Sequence, residues 1–286
     1  MNEVNDIKEI LKTNRHLVHG RNIIDRYKNT PQDANLNMII RSYHNYIIGN
    51  NIEGWTDDII NRRTILLNKY YNFLHENNFD NIYSAQGKFR PSILEEFIYI
   101  LFRDYIKDLR VEYGVNDDKI GCGQVKAYTN LFFRAKNFKA FVDAPQIGIN
   151  VKDQDFAIYR KFELTVNDSA TKTIMVPAVA VEAKTFIDKT MLDSIIATAE
   201  KLKDGNPYTR FIAVAEQYDV GKDVDPAYSR IDQIYILRKC SRRDLKLDWR
   251  DIDVSVVTRL FKEVKSHVER PWSDIEERLN RDGVIL

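Results

Sequence analysis

Residues Val176 to Lys184 read Val-Pro-Ala-Val-Ala-Val-Glu-Ala-Lys, an apolar run with strand character that ends in a glutamate and a lysine two positions apart. Strand side chains alternate between faces, so Glu182 and Lys184 leave the same face of one strand, side by side. A carboxylate and an ammonium at the end of a buried strand are costly to hold there without a partner or a task. An acid two residues before a lysine also occurs at Asp6/Lys8, Asp117/Lys119, Asp244/Lys246 and Glu263/Lys265, all in polar or helix-like surroundings. Only Glu182/Lys184 terminates a continuous apolar run, which is how a central strand of an α/β sheet reads. Two readings stand side by side: a structural salt bridge at a strand end, or a functional pair.

The partner strand follows from the residues upstream. Asp155 to Val166 alternates apolar and polar residues, Asn167-Asp168-Ser169 has turn chemistry, and Thr171 to Ala183 is the apolar strand. In an antiparallel hairpin, paired positions sum to a constant set by the turn. Asp155 and Glu182 share a midpoint inside this one, so they are expected to face each other. Pro177 cannot donate to a ladder and marks a bulge, which shifts the register without separating the two ends.

Downstream, Asp188-Lys189-Thr190 opens a helix with Leu192, Ile195, Ile196, Ala199 and Leu202 as its buried stripe and Gly205 as its stop. Phe211 to Glu216 and Ile231 to Arg238 read as further strands. A strand, helix, strand order implies a right-handed parallel crossover, and hence an α/β fold with a mixed sheet flanked by helices. A last amphipathic helix runs from about Val254 to Val268, stopped by Pro271.

Upstream of the sheet, residues 1–85 read as a helical N-terminal subdomain, with breaks near Thr30-Pro31 and Gly49-Asn50-Asn51, packed on residues 86–286 without a flexible tether. Pro91 to Phe97 opens a strong helix. Ser92 reads as its N-cap and Glu95, three residues on, as the second half of a capping box. Glu96 has no such explanation among Leu94, Phe97 and Ile100, which makes it the odd carboxylate.

Composition narrows the function classes. The chain has 286 residues, 44% hydrophobic and 30% charged, as soluble globular proteins do, and its net charge of +1 excludes a uniformly basic nucleic-acid binder. Two cysteines, Cys122 and Cys240, make neither a disulfide framework nor a zinc site, so a reducing, cytoplasmic setting is expected. The His16/His19 pair reads as a helix surface.

Asp155, Glu182 and Lys184, with Glu96 as a fourth, bring oxygen donors and an amine to one end of a sheet. Carboxylates without nearby histidine or cysteine favour hard cations, Mg²⁺ above all. Asp155, one oxygen of Glu182 and the Ala183 carbonyl would hold the ion. Lys184 would acidify a water or stabilise charge at phosphorus. That set suits phosphodiester hydrolysis. Between Lys119 and Val142 the basic residues Lys119, Lys126, Arg134, Lys136 and Lys139 are interleaved with aromatics and no acid, which suits a DNA-contacting surface or a hairpin with an apolar inner face. A second basic cluster, Arg238 to Lys246, is diluted by acid and reads as solvated.

Asp155 followed by Glu182-Ala183-Lys184 resembles the PD-(D/E)xK nuclease motif, with Gln154 in place of the motif's proline. PSILEEF at Pro91–Phe97, KDQDF at Lys152–Phe156, VPAVAVEAK, the helix residues Met191–Asp193 and Thr198–Lys203, and IDQIYILR at Ile231–Arg238 are similar to subunits of BbvCI-type Type II restriction endonucleases. Such enzymes are built from two related subunits that cut an asymmetric seven-base-pair site. The resemblance implies a restriction-endonuclease-like core over residues 86–286, Mg²⁺-dependent cleavage of double-stranded DNA at a short sequence, and one catalytic site per subunit in a homodimer or heterodimer. Asp155, Glu182 and Lys184 carry over as the catalytic set and Glu96 as the helix carboxylate. A structure-specific repair or recombination nuclease and a non-catalytic DNA-binding subunit are the alternative readings.

Overall fold

The computed structural model describes residues 2–83, 88–165, 171–270, 272 and 275–283. The expected turn at Asn167-Asp168-Ser169, the Pro271 stop and the boundary near residue 85 lie outside them. Five helices come first: α1 (Asn2–Thr13), α2 (Val18–Asn29), α3 (Ala34–Gly49), α4 (Asp57–Glu76) and the short α5 (Phe79–Ile82). Their starts follow capping chemistry. Asp33 accepts from the Leu36 amide, and Thr56 caps α4 with Asp57 and Asp58 in its first turn, where the helix dipole favours negative charge.

The central helix α6 (Phe89–Glu112) is followed by β1 (Gly121–Arg134), α7 (Phe138–Asp143), β2 (Gln146–Leu164), β3 (Lys172–Ile187), α8 (Lys189–Gly205), β4 (Arg210–Tyr218), β5 (Gln233–Ile236), α9 (Arg242–Leu247), α10 (Val254–Glu269) and α11 (Ile275–Asp282). The strands lie in sequence order in one sheet. β1, β2 and β3 are antiparallel, whereas β3, β4 and β5 run parallel, so the sheet is mixed as expected.

The apolar run of β3 is continuous because both of its faces are covered. Val179 and Val181 join a core with Phe97, Leu101 and Phe102 of α6 and with Leu260 and Phe261 of α10. Ala180, from the other face, joins Leu192, Ile195, Ala199 and Leu202 of α8 together with Phe211, Ala213 and Ala215 of β4. Each buried Leu, Ile or Phe contributes about 1.5–3 kcal/mol relative to exposure. The first core reaches back to Ile23, Ile39, Leu67 and Leu74, so the N-terminal helices share it with the sheet.

Gly205 ends α8 for a reason beyond helix termination. A Cβ there would lie 2.0 Å from the Thr129 carbonyl oxygen, so β1 closes directly onto the helix end. The third expected strand is regular only over Gln233–Ile236, but the Leu237 and Arg238 amides still donate to the Ala215 and Glu216 carbonyls of β4, at 2.8 and 3.1 Å.

Candidate active site

The β2–β3 ladder pairs Phe156 with Val181, Ala157 with Ala180 and Ile158 with Val179, and the next step beyond Phe156–Val181 sets Asp155 opposite Glu182. A one-residue shift follows at Tyr159, which pairs with Pro177. The bulge lies on the far side of that pair from the strand end and leaves it facing.

Three charged side chains meet there. Asp155 Oδ2 accepts from the Ala183 amide at 2.8 Å. Lys184 Nζ donates to Glu182 Oε1 at 2.6 Å and lies 3.8 Å from Asp155 Oδ2. Their side chains are 24%, 16% and 30% exposed for Asp155, Glu182 and Lys184, so solvent reaches each of them. Burial and the neighbouring Glu182 carboxylate push the Asp155 pKa up, opposed by Lys184 and the Ala183 amide. Burial works against the Lys184 ammonium, but Glu182 and Asp155 outweigh it and hold its pKa above the ordinary value.

Glu96 is not part of this group. It is 0% exposed in the helical layer, where Oε2 accepts from the His19 and Gly20 amides at 2.9 and 3.0 Å and Oε1 from the Tyr43 hydroxyl at 2.9 Å. Its carboxylate therefore caps the start of α2, and burial, partly offset by those donors, raises its pKa to about 7. The carboxylate that α6 turns toward the site is Glu95. Burial and the Asp155 charge raise its pKa to about 7, with Lys88, Lys184 and a 2.7 Å bond from Gln124 opposing them.

The capping box is likewise corrected. The helix begins at Phe89, and Ser92 lies inside it, buried, bonded to the Phe89 carbonyl at 2.8 Å and the His19 ring at 2.9 Å. His19 is thus a buried core histidine rather than part of a helix surface. A sequence signal for Glu95 did exist: Pro91, Glu95, Tyr99 and Arg103, at intervals of four, form the less buried stripe in the first half of α6.

These assignments separate in two variants. Glu96→Gln keeps an acceptor for the backbone amides and stays neutral at every pH. A carboxyl whose folded pKa lies near 7 against an ordinary 4.5 favours the fold fully below the lower value and loses that contribution as pH rises through the upper one. The variant is expected to gain stability relative to the parent by on the order of 3 kcal/mol between pH 4.5 and 8, read by urea unfolding, with cleavage unchanged within about threefold. Glu95→Gln is expected to change the cleavage rate or its pH profile instead. The reverse pattern would return Glu96 to the site.

Lys119, Lys126, Arg134, Lys136 and Lys139 are all exposed, and they are spread from the turn before β1, along β1, to α7. β1 alone extends roughly 45 Å at strand rise. The apolar inner face does not form either: Phe133, Phe138 and Phe141 remain exposed, Phe138 at 81%. In the second basic cluster Arg238 is fully buried against Glu216, not solvated.

The site fits a hard divalent ion. Asp155 Oδ1 and Glu182 Oε2 have no protein partner among the described residues. No group of three or more His, Cys, Asp or Glu able to hold a metal ion gathers anywhere among the described residues, so the protein side chains offered to an ion here are these two carboxylates. Two carboxylates with water and phosphate completing the shell is what Mg²⁺ takes. No helix among the described residues is long and apolar enough to cross a membrane.

A family model described as Bpu10I restriction endonuclease matches residues 86–251, which include Glu95, Asp155, Glu182 and Lys184. A solved structure described as the native BbvCI A2B2 tetramer at low resolution is similar in fold, with a TM-score of 0.66 at 19% identity over 89% of this chain and 98% of that one. No curated protein sequence matches.

Proposed function

The chain belongs to the Bpu10I restriction endonuclease family, and from that premise we propose that Asp155, Glu182 and Lys184 hydrolyse the DNA backbone with Mg²⁺ as the divalent ion. The observation that carries the reading is the convergence of the three side chains at one strand end, within 4 Å of Lys184 Nζ. Restriction endonucleases are site-specific nucleases of double-stranded DNA, and the family generally uses a divalent metal.

Asp155, Glu182 and the Ala183 carbonyl would hold the ion, which when bound neutralises phosphate charge and acidifies a water. The chain's own groups do the rest. The Ala183 amide fixes Asp155 Oδ2, so this carboxylate is oriented before substrate arrives. Glu182 tethers Lys184, and the ammonium, kept protonated by both carboxylates, donates to the phosphate oxygens where negative charge grows as water attacks phosphorus and the P–O ester bond breaks. Glu95, with its elevated pKa, is placed to take or return a proton near neutral pH.

One such site per chain cuts one strand, so a double-strand break requires two chains. We assign the partner as a second copy or a related subunit, in keeping with the A2B2 assembly described for the BbvCI structure. The test is digestion of a sequenced plasmid with Mg²⁺, with and without the product of a related neighbouring gene. Discrete mapped ends are expected, as nicks from this chain's site alone and as double-strand breaks with the complete assembly. Ends scattered without sequence preference, or no cleavage in any combination, would overturn it.

A further inference from the structure

A cleft of about 490 Å³ is lined by Arg90 at the start of α6, Gln217 at the end of β4, and Arg242, Lys246 and Trp249 in and after α9. It opens at the carboxyl ends of the parallel strands, where α/β sheets hold their ligands. Gln217 pairs in register with Phe186, and the Arg242 guanidinium lies 4.3 Å over the Phe186 ring. Phe186 follows Lys184 by two residues, about 7 Å of strand.

Charge accounting singles out two of the lining residues. Arg90 is committed to Glu216 and Asp80, at 3.2 and 3.4 Å. Asp80, the acid in the lining, is held by Arg90 and by His75 at 3.6 Å. Lys239, nearby in sequence, is engaged by Asp253, and Asp244 turns back onto Ser241. Arg242 and Lys246 have no acidic partner among the described residues. They sit four apart on α9, on one helix face. Lys88, two residues before Arg90, is near enough to the site for its charge to act on both Asp155 and Glu95.

We propose that this cleft anchors the DNA backbone beside the scissile phosphate, with Arg242 and Lys246 each neutralising a phosphate irrespective of sequence. The inference rests on the endonuclease reading and adds to it a binding surface distinct from the exposed bases of β1 and α7. Phosphate contacts of this kind set register on the duplex without reading bases.

The test measures binding of a short duplex carrying the cleavage site, and of one lacking it, across a salt series. The cleaving assembly is used in a Lys184→Ala background so that DNA stays intact. Adding R242A and K246A is expected to make the slope of log K against log salt shallower by about two, and to weaken binding to both duplexes by at least roughly tenfold. R242K with K246R, which keeps the charges, is expected to retain the parent slope, separating lost charge from lost folding. An unchanged slope in the alanine variant, as would follow if the cleft took only free phosphate, overturns the proposal, as does a loss confined to the cognate duplex. Failure of the parent to bind either duplex overturns the endonuclease reading and this inference with it.

Discussion

Lys184→Ala is expected to lower the rate of DNA cleavage by about 10³-fold or more, while duplex binding changes by less than about tenfold. The asymmetry follows from the geometry. In the free site the ammonium is already paired with Glu182 at 2.6 Å and lies near Asp155, so its charge adds little to the attraction of DNA. In the transition state it faces growing negative charge on phosphate oxygens in a partly desolvated site, and the loss of one such preorganised donor costs about 3–4 kcal/mol. Each 1.4 kcal/mol is about tenfold in rate, so the lower end of that cost already gives about 10²-fold. Removal of the ammonium also leaves Asp155 and Glu182 with mutual repulsion that Lys184 had offset, which adds misplacement to lost charge. Lys184→Arg is not expected to rescue, because a planar fork cannot occupy the position of a compact ammonium against two carboxylates. Single-turnover cleavage at saturating Mg²⁺ measures the first quantity and binding without metal the second. Cleavage at the parent rate would sink the assignment of Lys184, and a joint collapse of binding and folding would recast the trio as structural.

The pairing of Asp155 with Glu182 was legible because a hairpin is a local object: alternation, a turn and an apolar run fix which residues face each other. The bulge at Pro177 was legible too, since proline lacks the ladder donor. What escaped was set by contacts distant in sequence. α6 is buried on nearly every side, so only the narrow stripe of Pro91, Glu95, Tyr99 and Arg103 distinguishes the phase of Glu95 from that of Glu96. The choice is made by α2, which delivers two backbone amides to Glu96 from 76 and 77 residues away. Ser92 mimicked an N-cap for the same reason, as its partner His19 lies 73 residues upstream. The basic segment from Arg238 to Lys246 looked uniformly solvated because a long-range acid takes up Arg238 and leaves Arg242 and Lys246 unpaired.

That acid gives the largest expected effect on stability. Glu216→Ala is expected to destabilise the fold by about 3–5 kcal/mol, because it strands buried positive charge. Glu216 is 0% exposed and accepts from Arg238 Nε at 2.9 Å, Arg90 Nη2 at 3.2 Å and the Tyr71 hydroxyl at 3.1 Å. Burial alone would raise its pKa, but the two guanidinium groups outweigh burial and hold it below the ordinary value. A depressed folded pKa contributes stability that is present above the unfolded value near 4.5 and is lost as pH falls through the folded one, so this network favours neutral over acidic conditions. Arg238 is also stacked over Trp249 at 4.3 Å, and its Nη1 bonds the Arg250 carbonyl, so it cannot easily swing to solvent when its acid is removed. Glu216→Ala combined with Arg238→Met is therefore expected to recover part of the loss, since a missing pair is tolerated better than half of one. Urea unfolding above pH 6 measures both variants. A loss under about 1 kcal/mol for the single variant would mean that water or another acid reaches the two arginines. The consequence extends to the cleft, because Arg90, left with Asp80 as its acidic partner, would add uncompensated positive charge beside Arg242 and Lys246 to the surface offered to DNA phosphates.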